Sequence, residues 1–180
     1  AGGSSYNPAT QVTQSVTVGK GSQTISFGAI PPLNVGGTSA LSATASSGLA
    51  VTFTSSTPST CSVSVSGSNA SVRGIAAGTC TVAANQAGGS SYNPATQVTQ
   101  SVTVGKSSQT ITLTVPATIT RPAKGTVSAT TSSGLSPTLA SDTASVCSIS
   151  GTTVTGLKVG TCTIKASQTG NTNYNAATIV

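Results

Sequence analysis

Acid is almost missing from this sequence. Asp142 stands alone against seven Lys and Arg, giving a formal charge of +6 over 180 residues, and there is no His. General acid–base catalysis relies on groups that titrate near neutral pH, usually His or paired carboxylates, and none can be assembled here. A Ser–Lys pair is the one nucleophilic arrangement left open, and the chain is read as a non-enzyme. Zinc takes clustered Cys, His and carboxylate, and calcium takes carboxylate-rich oxygen cages, so no metal or cofactor is expected. Aromatics are scarce too: Phe27, Phe53 and three Tyr, with no Trp, and Met is also absent. Lys20, Arg73, Lys106, Arg121, Lys124, Lys158 and Lys165 stand singly, without the basic stripe and interleaved aromatics of nucleic-acid surfaces. Nucleic acid is therefore excluded as a partner, and the charge is read as keeping a Ser/Thr-rich surface soluble. No apolar run is long enough to cross a bilayer, so no membrane insertion is expected. No initiating Met or signal peptide is seen, so the chain reads as a mature product or a segment of something longer.

What is present is Val, Ile, Ala, Leu, Ser, Thr and Gly, arranged twice. Residues 1–20, AGGSSYNPATQVTQSVTVGK, return unchanged at 87–106, an offset of 86. Carried forward, the offset aligns SQTISF at 22–27 with SQTITL at 108–113, Cys61 with Cys147, and GTCTVAANQAGGSSYNPA at 78–95 with GTCTIKASQTGNTNYNAA at 160–177. Such a period exceeds that of solenoid repeats and suits a small independent β domain. Alternating runs between turn signals predict strands over 23–27, 39–46, 50–55, 61–66, 70–75, 79–86 and 97–104 in the first copy. No stretch has a convincing amphipathic helical pattern.

Four cysteines fall two per copy. Cys61, Val63 and Val65 share one strand face, as do Cys80, Val82 and Ala84, and the second copy repeats the pattern. Disulfides Cys61–Cys80 and Cys147–Cys162 are expected, in an oxidising compartment. The first spacing is longer by four positions, which two extra residues on each arm of a hairpin absorb without inverting its faces.

SQTISF, SSGLAVTFTSSTPSTCSVS, GIAAGTCTVAANQAG and YNPATQVTQSVTV resemble the bacterial Ig-like repeats found in tandem on large secreted and cell-surface proteins. The resemblance spans nearly the whole chain. It implies an all-β chain of two tandem immunoglobulin-like β-sandwiches, extracellular, acting as spacer, stalk or adhesive module. The antibody signature is absent, since there is no core Trp and each Cys pair closes a short hairpin-like loop.

The resulting domain scheme is residues 1–20 as the final strand and linker of a preceding or neighbouring domain, 21–106 as the first Ig-like domain, and 107–180 as a second that lacks its last strand. Residues 11–18 duplicate the last strand of the first domain but have no domain before them. Two explanations stand: a window on a covalent array, or a donor strand in which Val12, Gln14, Val16 and Val18 complete the neighbouring subunit head to tail. The partners are copies of the chain or adjacent Ig-like repeats. The alternative is an accessory carbohydrate- or surface-binding module that uses surface glycans of a host or the environment. Tyr6, Tyr92 and Tyr174 recur at one repeat position, as core caps, sugar platforms or interdomain contacts. Asn69-Ala70-Ser71 matches the N-glycosylation pattern. Asp142 is read as a surface turn residue, with pairing to Lys124, Lys158 or Lys165, or a Lys–Asn isopeptide crosslink, as other options.

Overall fold

Residues that branch at Cβ resist helix and pack well on a pleated surface, and the backbone follows that preference throughout. The computed structural model describes residues 5, 7–67 and 69–180, and every regular element among them is a strand. No helix among them is long and apolar enough to cross a membrane.

Strands β1 (Ile25–Phe27), β2 (Leu33–Asn34), β3 (Thr38–Leu41), β4 (Ala43–Ala45), β5 (Thr52–Ser55), β6 (Cys61–Ser66), β7 (Asn69–Gly74), β8 (Gly78–Asn85) and β9 (Val98–Gly105) make up the first half. They pair as β1-β4, β3-β7-β6 and β2-β9-β8-β5. The run expected as one strand over 39–46 is interrupted at Ser42, whose carbonyl accepts the Gly28 N–H at 3.0 Å. Its first part pairs with β7 and its second with β1. Leu33–Asn34 went unpredicted: two residues parallel to β9 leave no period to read. The β6–β7 hairpin turns at Gly67, whose φ of 60° lies in the left-handed region that glycine occupies without strain.

The core of this half is one cluster drawn from both larger sheets. Leu41, Cys61 and Val72 come from β3, β6 and β7, while Leu33, Val82, Val102 and Val104 come from β2, β8 and β9. Cys61 and Cys80 are joined, with Cα atoms 5.6 Å apart. The bridge ties β6 to β8, so the pair that closes a short loop in sequence crosses between two sheets in space.

The second half contains β10 (Ile111–Thr114), β11 (Lys124–Thr126), β12 (Ser128–Thr131), β13 (Thr138–Ser141), β14 (Cys147–Ser150), β15 (Thr153–Gly156) and β16 (Ile164–Ser167), paired as β10-β12, β11-β15-β14 and β13-β16. Cys147 and Cys162 are joined. The β14 and β15 arms are each two residues shorter than those of β6 and β7, and the cysteine keeps its inward facing. Every strand pairing falls within 21–105 or within 107–180. Among the described residues, two hydrogen bonds cross between them: the Ala77 N–H donates to Asn173 Oδ1 at 2.9 Å, and the Ser107 hydroxyl donates to the Val35 carbonyl.

Candidate functional site

β9 sits between two partners. It pairs antiparallel with β8 and parallel with β2, and it turns Val98, Gln100, Val102 and Val104 inward. Val102 is 6% exposed and Val104 1%. Val104 rests on Gly74, where a Cβ would come within 2.7 Å of Val104 Cγ1. The Gln100 amide donates to the Phe27 carbonyl at 3.1 Å.

In the second half this place is an open groove of about 530 Å³. Pro116 and Ile119 border one side, Thr161 and Ile164 the other, and Cys147 and Gly156 also line it. The flanks are the counterparts of β2 and β8. Ile119 and Thr120, matching Leu33 and Asn34, are in no strand, and 160–163, matching the first four residues of β8, are in none either. Gly156 matches Gly74, and the nearest atom to a Cβ placed there is Ile119 Cγ2 at 3.8 Å. Only Val180 has begun the strand: its N–H and carbonyl both bond Ala166, the counterpart of Ala84, which pairs with Val98. Two smaller clusters replace the single core of the first half. Cys162 is partly exposed, whereas Cys80 is fully buried.

Residues 7–20 form no strand and are exposed, Gln14 among them. Val12, Val16 and Val18 are 83%, 87% and 89% exposed. Their sequence is that of β9, so the chain carries both a groove of β9 shape and an exposed segment of β9 sequence. Tyr6 lies outside the described residues. Tyr92 and Tyr174 hold the segment entering each half: Gly21 bridges Tyr92, and Ser107 bridges Tyr174. The Tyr92 ring lies against Gly21, while Tyr174 is half-buried and lines a cavity with Val35, Arg73 and Ile75 of the first half. Tyr92 and Tyr174 therefore sit at the entry of different halves.

Asp142 pairs with Lys165 at 2.5 Å, both about half-exposed, and an exposed pair of this kind contributes under about 1 kcal/mol. No group of three or more His, Cys, Asp or Glu that could hold a metal occurs among the described residues.

Sequence reasoning passed over the glutamines of the two SQT motifs. Gln23 is buried, and its amide donates to Gln86 Oε1 at 2.6 Å and to the Asn93 carbonyl at 2.7 Å, while its own oxygen accepts the Ser47 hydroxyl. Gln109 repeats the arrangement, accepting from Ser133 and donating to the Asn175 carbonyl at 2.8 Å. These networks pin the loop that carries each Tyr. The repetition of SQT in both copies was the available signal.

No family model matches the chain, and no curated protein matches it. Among solved structures it is similar to a C-terminal 282-residue fragment of intimin, in complex with the intimin-binding domain of the translocated intimin receptor. The identity is 18% and the TM-score 0.30, over 86% of this chain. This chain spans 63% of the fragment's length. At that score the likeness carries no weight for fold or function.

Proposed function

We propose that the protein is a non-enzymatic structural module of an extracellular filament, stalk or adhesin. It consists of two immunoglobulin-like sandwiches, 21–106 and 107–180, strung head to tail as beads. The groove of the second bead is completed by a strand of the 97–104 type. That strand comes either from covalent continuation of an array or from residues 11–18 of a neighbouring subunit.

One observation carries this reading: the same two-sided slot is filled by Val102 and Val104 in the first half and open in the second. A groove lined by Leu113, Ile119 and Ile164 as well as Thr161 and Lys158, beside an unpaired sheet edge, is a site for strand addition. Sheets built as β3-β7-β6 and β2-β9-β8-β5 around one core, tied by a disulfide, suit a sandwich. Disulfides persist in oxidising compartments, which supports an extracellular setting. The near-absence of carboxylate and His supports a mechanical role over a chemical one.

The test is to refold the disulfide-intact chain in excess synthetic peptide QVTQSVTV and follow amide exchange. Bound peptide protects amides within 160–164, and a scrambled peptide does not. Unchanged exchange at saturating peptide refutes the groove as a strand site.

A further inference from the structure

The first half is almost without charge: Arg73 is the one Lys, Arg, Asp, Glu or His in residues 21–105. It is exposed, and it lines a cleft of about 420 Å³ together with Val35, Ser62 and Ile75 of its own half and Tyr174 of the second. We propose that this cleft binds a carboxylate-bearing sugar, one hexuronate unit of an acidic polysaccharide, with the Arg73 guanidinium on the carboxylate. The site lies at the joint between the halves and does not depend on what fills the groove beside Gly156.

Both walls of the cleft are fixed by hydrogen bonds. The Val35 N–H donates to the Gly105 carbonyl at 2.9 Å, the Gly36 N–H to the Gly74 carbonyl at 2.9 Å, and the Gly74 N–H to the Gly37 carbonyl at 3.0 Å. On the other wall the Tyr174 N–H donates to Asn171 Oδ1 at 2.9 Å, and Ser107 bridges Tyr174. A ligand therefore meets a preformed cleft and is spared the cost of ordering it. Arg73 has no structural employment there. Asp142, the only acid of the sequence, is held by Lys165, so no side-chain carboxylate answers the guanidinium. Among the described residues no cation–π contact joins Arg73 to Tyr174. The halves are held instead by Asn173 and Ser107.

The chemistry of the lining selects the ligand class. The guanidinium fork matches a carboxylate in bidentate fashion. A lone cation suits a monoanion, whereas a phosphate dianion is served by clustered bases or a nest of backbone N–H groups. In the β3-β7-β6 sheet Arg73 stands between Thr38 and Ser62, one strand spacing of about 4.8 Å to either side. Both are exposed, so hydroxyls flank the guanidinium where a sugar ring carries hydroxyls beside its carboxylate. Val35, Ile75 and the Tyr174 ring supply apolar surface for the C–H face of that ring. The volume falls in the range of small-molecule sites, which recur where domains meet.

The experiment titrates the isotope-labelled, disulfide-intact 180-residue chain with galacturonic acid at neutral pH and follows its amide and arginine side-chain resonances by nuclear magnetic resonance. The Arg73 Nε–H and the amides of 35–36, 62, 73–75 and 174 shift together and saturate with a Kd near about 1 mM, the strength of a single small-ligand contact. Galactose, which lacks the carboxylate, binds at least about 10-fold more weakly. Arg73→Gln removes that preference and leaves the response to galactose as it was; Arg73→Lys, which keeps the charge without the fork, does not restore it. Arg73 is exposed, so the circular dichroism of either variant matches wild type. Tyr174→Ala weakens both sugars. The inference is overturned by unchanged resonances at concentrations far above about 1 mM, by equal responses to the two sugars, or by an acid preference that survives Arg73→Gln. Inorganic phosphate that binds these residues more tightly than galacturonate also overturns it, and assigns the cleft to phosphate. None of these outcomes touches the strand-site reading, which peptide protection within 160–164 tests separately.

Discussion

Val104 and Val18 occupy the same place in identical eight-residue sequences, one in a sheet and one in solvent, and the same substitution at each separates burial from composition. Val104→Ala removes two methyl groups from a residue 1% exposed. At about 0.8 kcal/mol per buried carbon the transfer loss is about 1.6 kcal/mol, and incomplete collapse over Gly74 raises the cost to about 2–2.5 kcal/mol. For a domain of this size that lowers the melting temperature of the first half by roughly 8–20 °C. Val18→Ala acts on a residue 89% exposed. In dilute solution it leaves both melting transitions within about 2 °C of wild type, since surface changes cost under about 0.5 kcal/mol. Thermal circular dichroism on disulfide-intact protein, at a concentration where light scattering shows single chains, reads both values. Equal shifts from the two substitutions would refute the assignment of β9 as the strand that completes the core, as would a Val104 variant that melts with wild type.

Two further outcomes follow from the same geometry. Gln23→Ala leaves the Asn93 carbonyl and the Ser47 hydroxyl without their buried partner and destabilises by about 2–3 kcal/mol in urea unfolding, whereas Gln97→Ala, at an exposed amide pair, costs under about 0.5 kcal/mol. Thiol exchange needs access to sulfur, so mild reductant opens Cys147–Cys162, through partly exposed Cys162, before the fully buried Cys61–Cys80; alkylation with mass mapping checks the order, and occupancy of the groove by peptide abolishes the difference.

The strands were legible where side chains alternate over six or more residues. β6, β8 and β9 lie within a residue of the runs read from sequence, because a half-buried strand must alternate. β2 was not legible, since two residues held by a parallel neighbour carry no period. The break at Ser42 was hidden for another reason: 38–45 alternates continuously while its hydrogen-bonding partner changes from β7 to β1. Sequence duplication pointed to the 11–18 segment, but not to the groove. Its walls at Ile119 and Thr161 come from two segments that the first half recruits into strands only because β9 lies between them. The socket at Gly156 is likewise visible only beside the Gly74–Val104 contact.

The two kinds of junction in a chain of such beads differ chemically. Within one chain the halves are clamped by Asn173 Oδ1, which accepts from Ala77, and by the Ser107 hydroxyl, which donates to Val35. Where residues 11–18 of a neighbouring subunit fill the groove, the junction between copies has Ser91 where Asn173 stands and Gly21 where Ser107 stands. Ser91 is too short to reach as Asn173 does, and Gly21 has no hydroxyl, so both clamps are lost. A Cβ at Gly21 meets the Tyr92 ring at 3.3 Å, so Gly21→Ser requires that ring to shift by a few tenths of an ångström. Short linkers restrict swing at both junctions, but each clamp adds about 1 kcal/mol of further restraint at one of them. A filament should therefore bend mainly at every second bead, between copies. Negative-stain images with bead-resolved angles measure this, and Ser91→Asn should narrow the angular spread at the copy junction alone. Equal spread at alternate junctions, before and after that substitution, would show that linker length sets the stiffness and that the two hydrogen bonds do not.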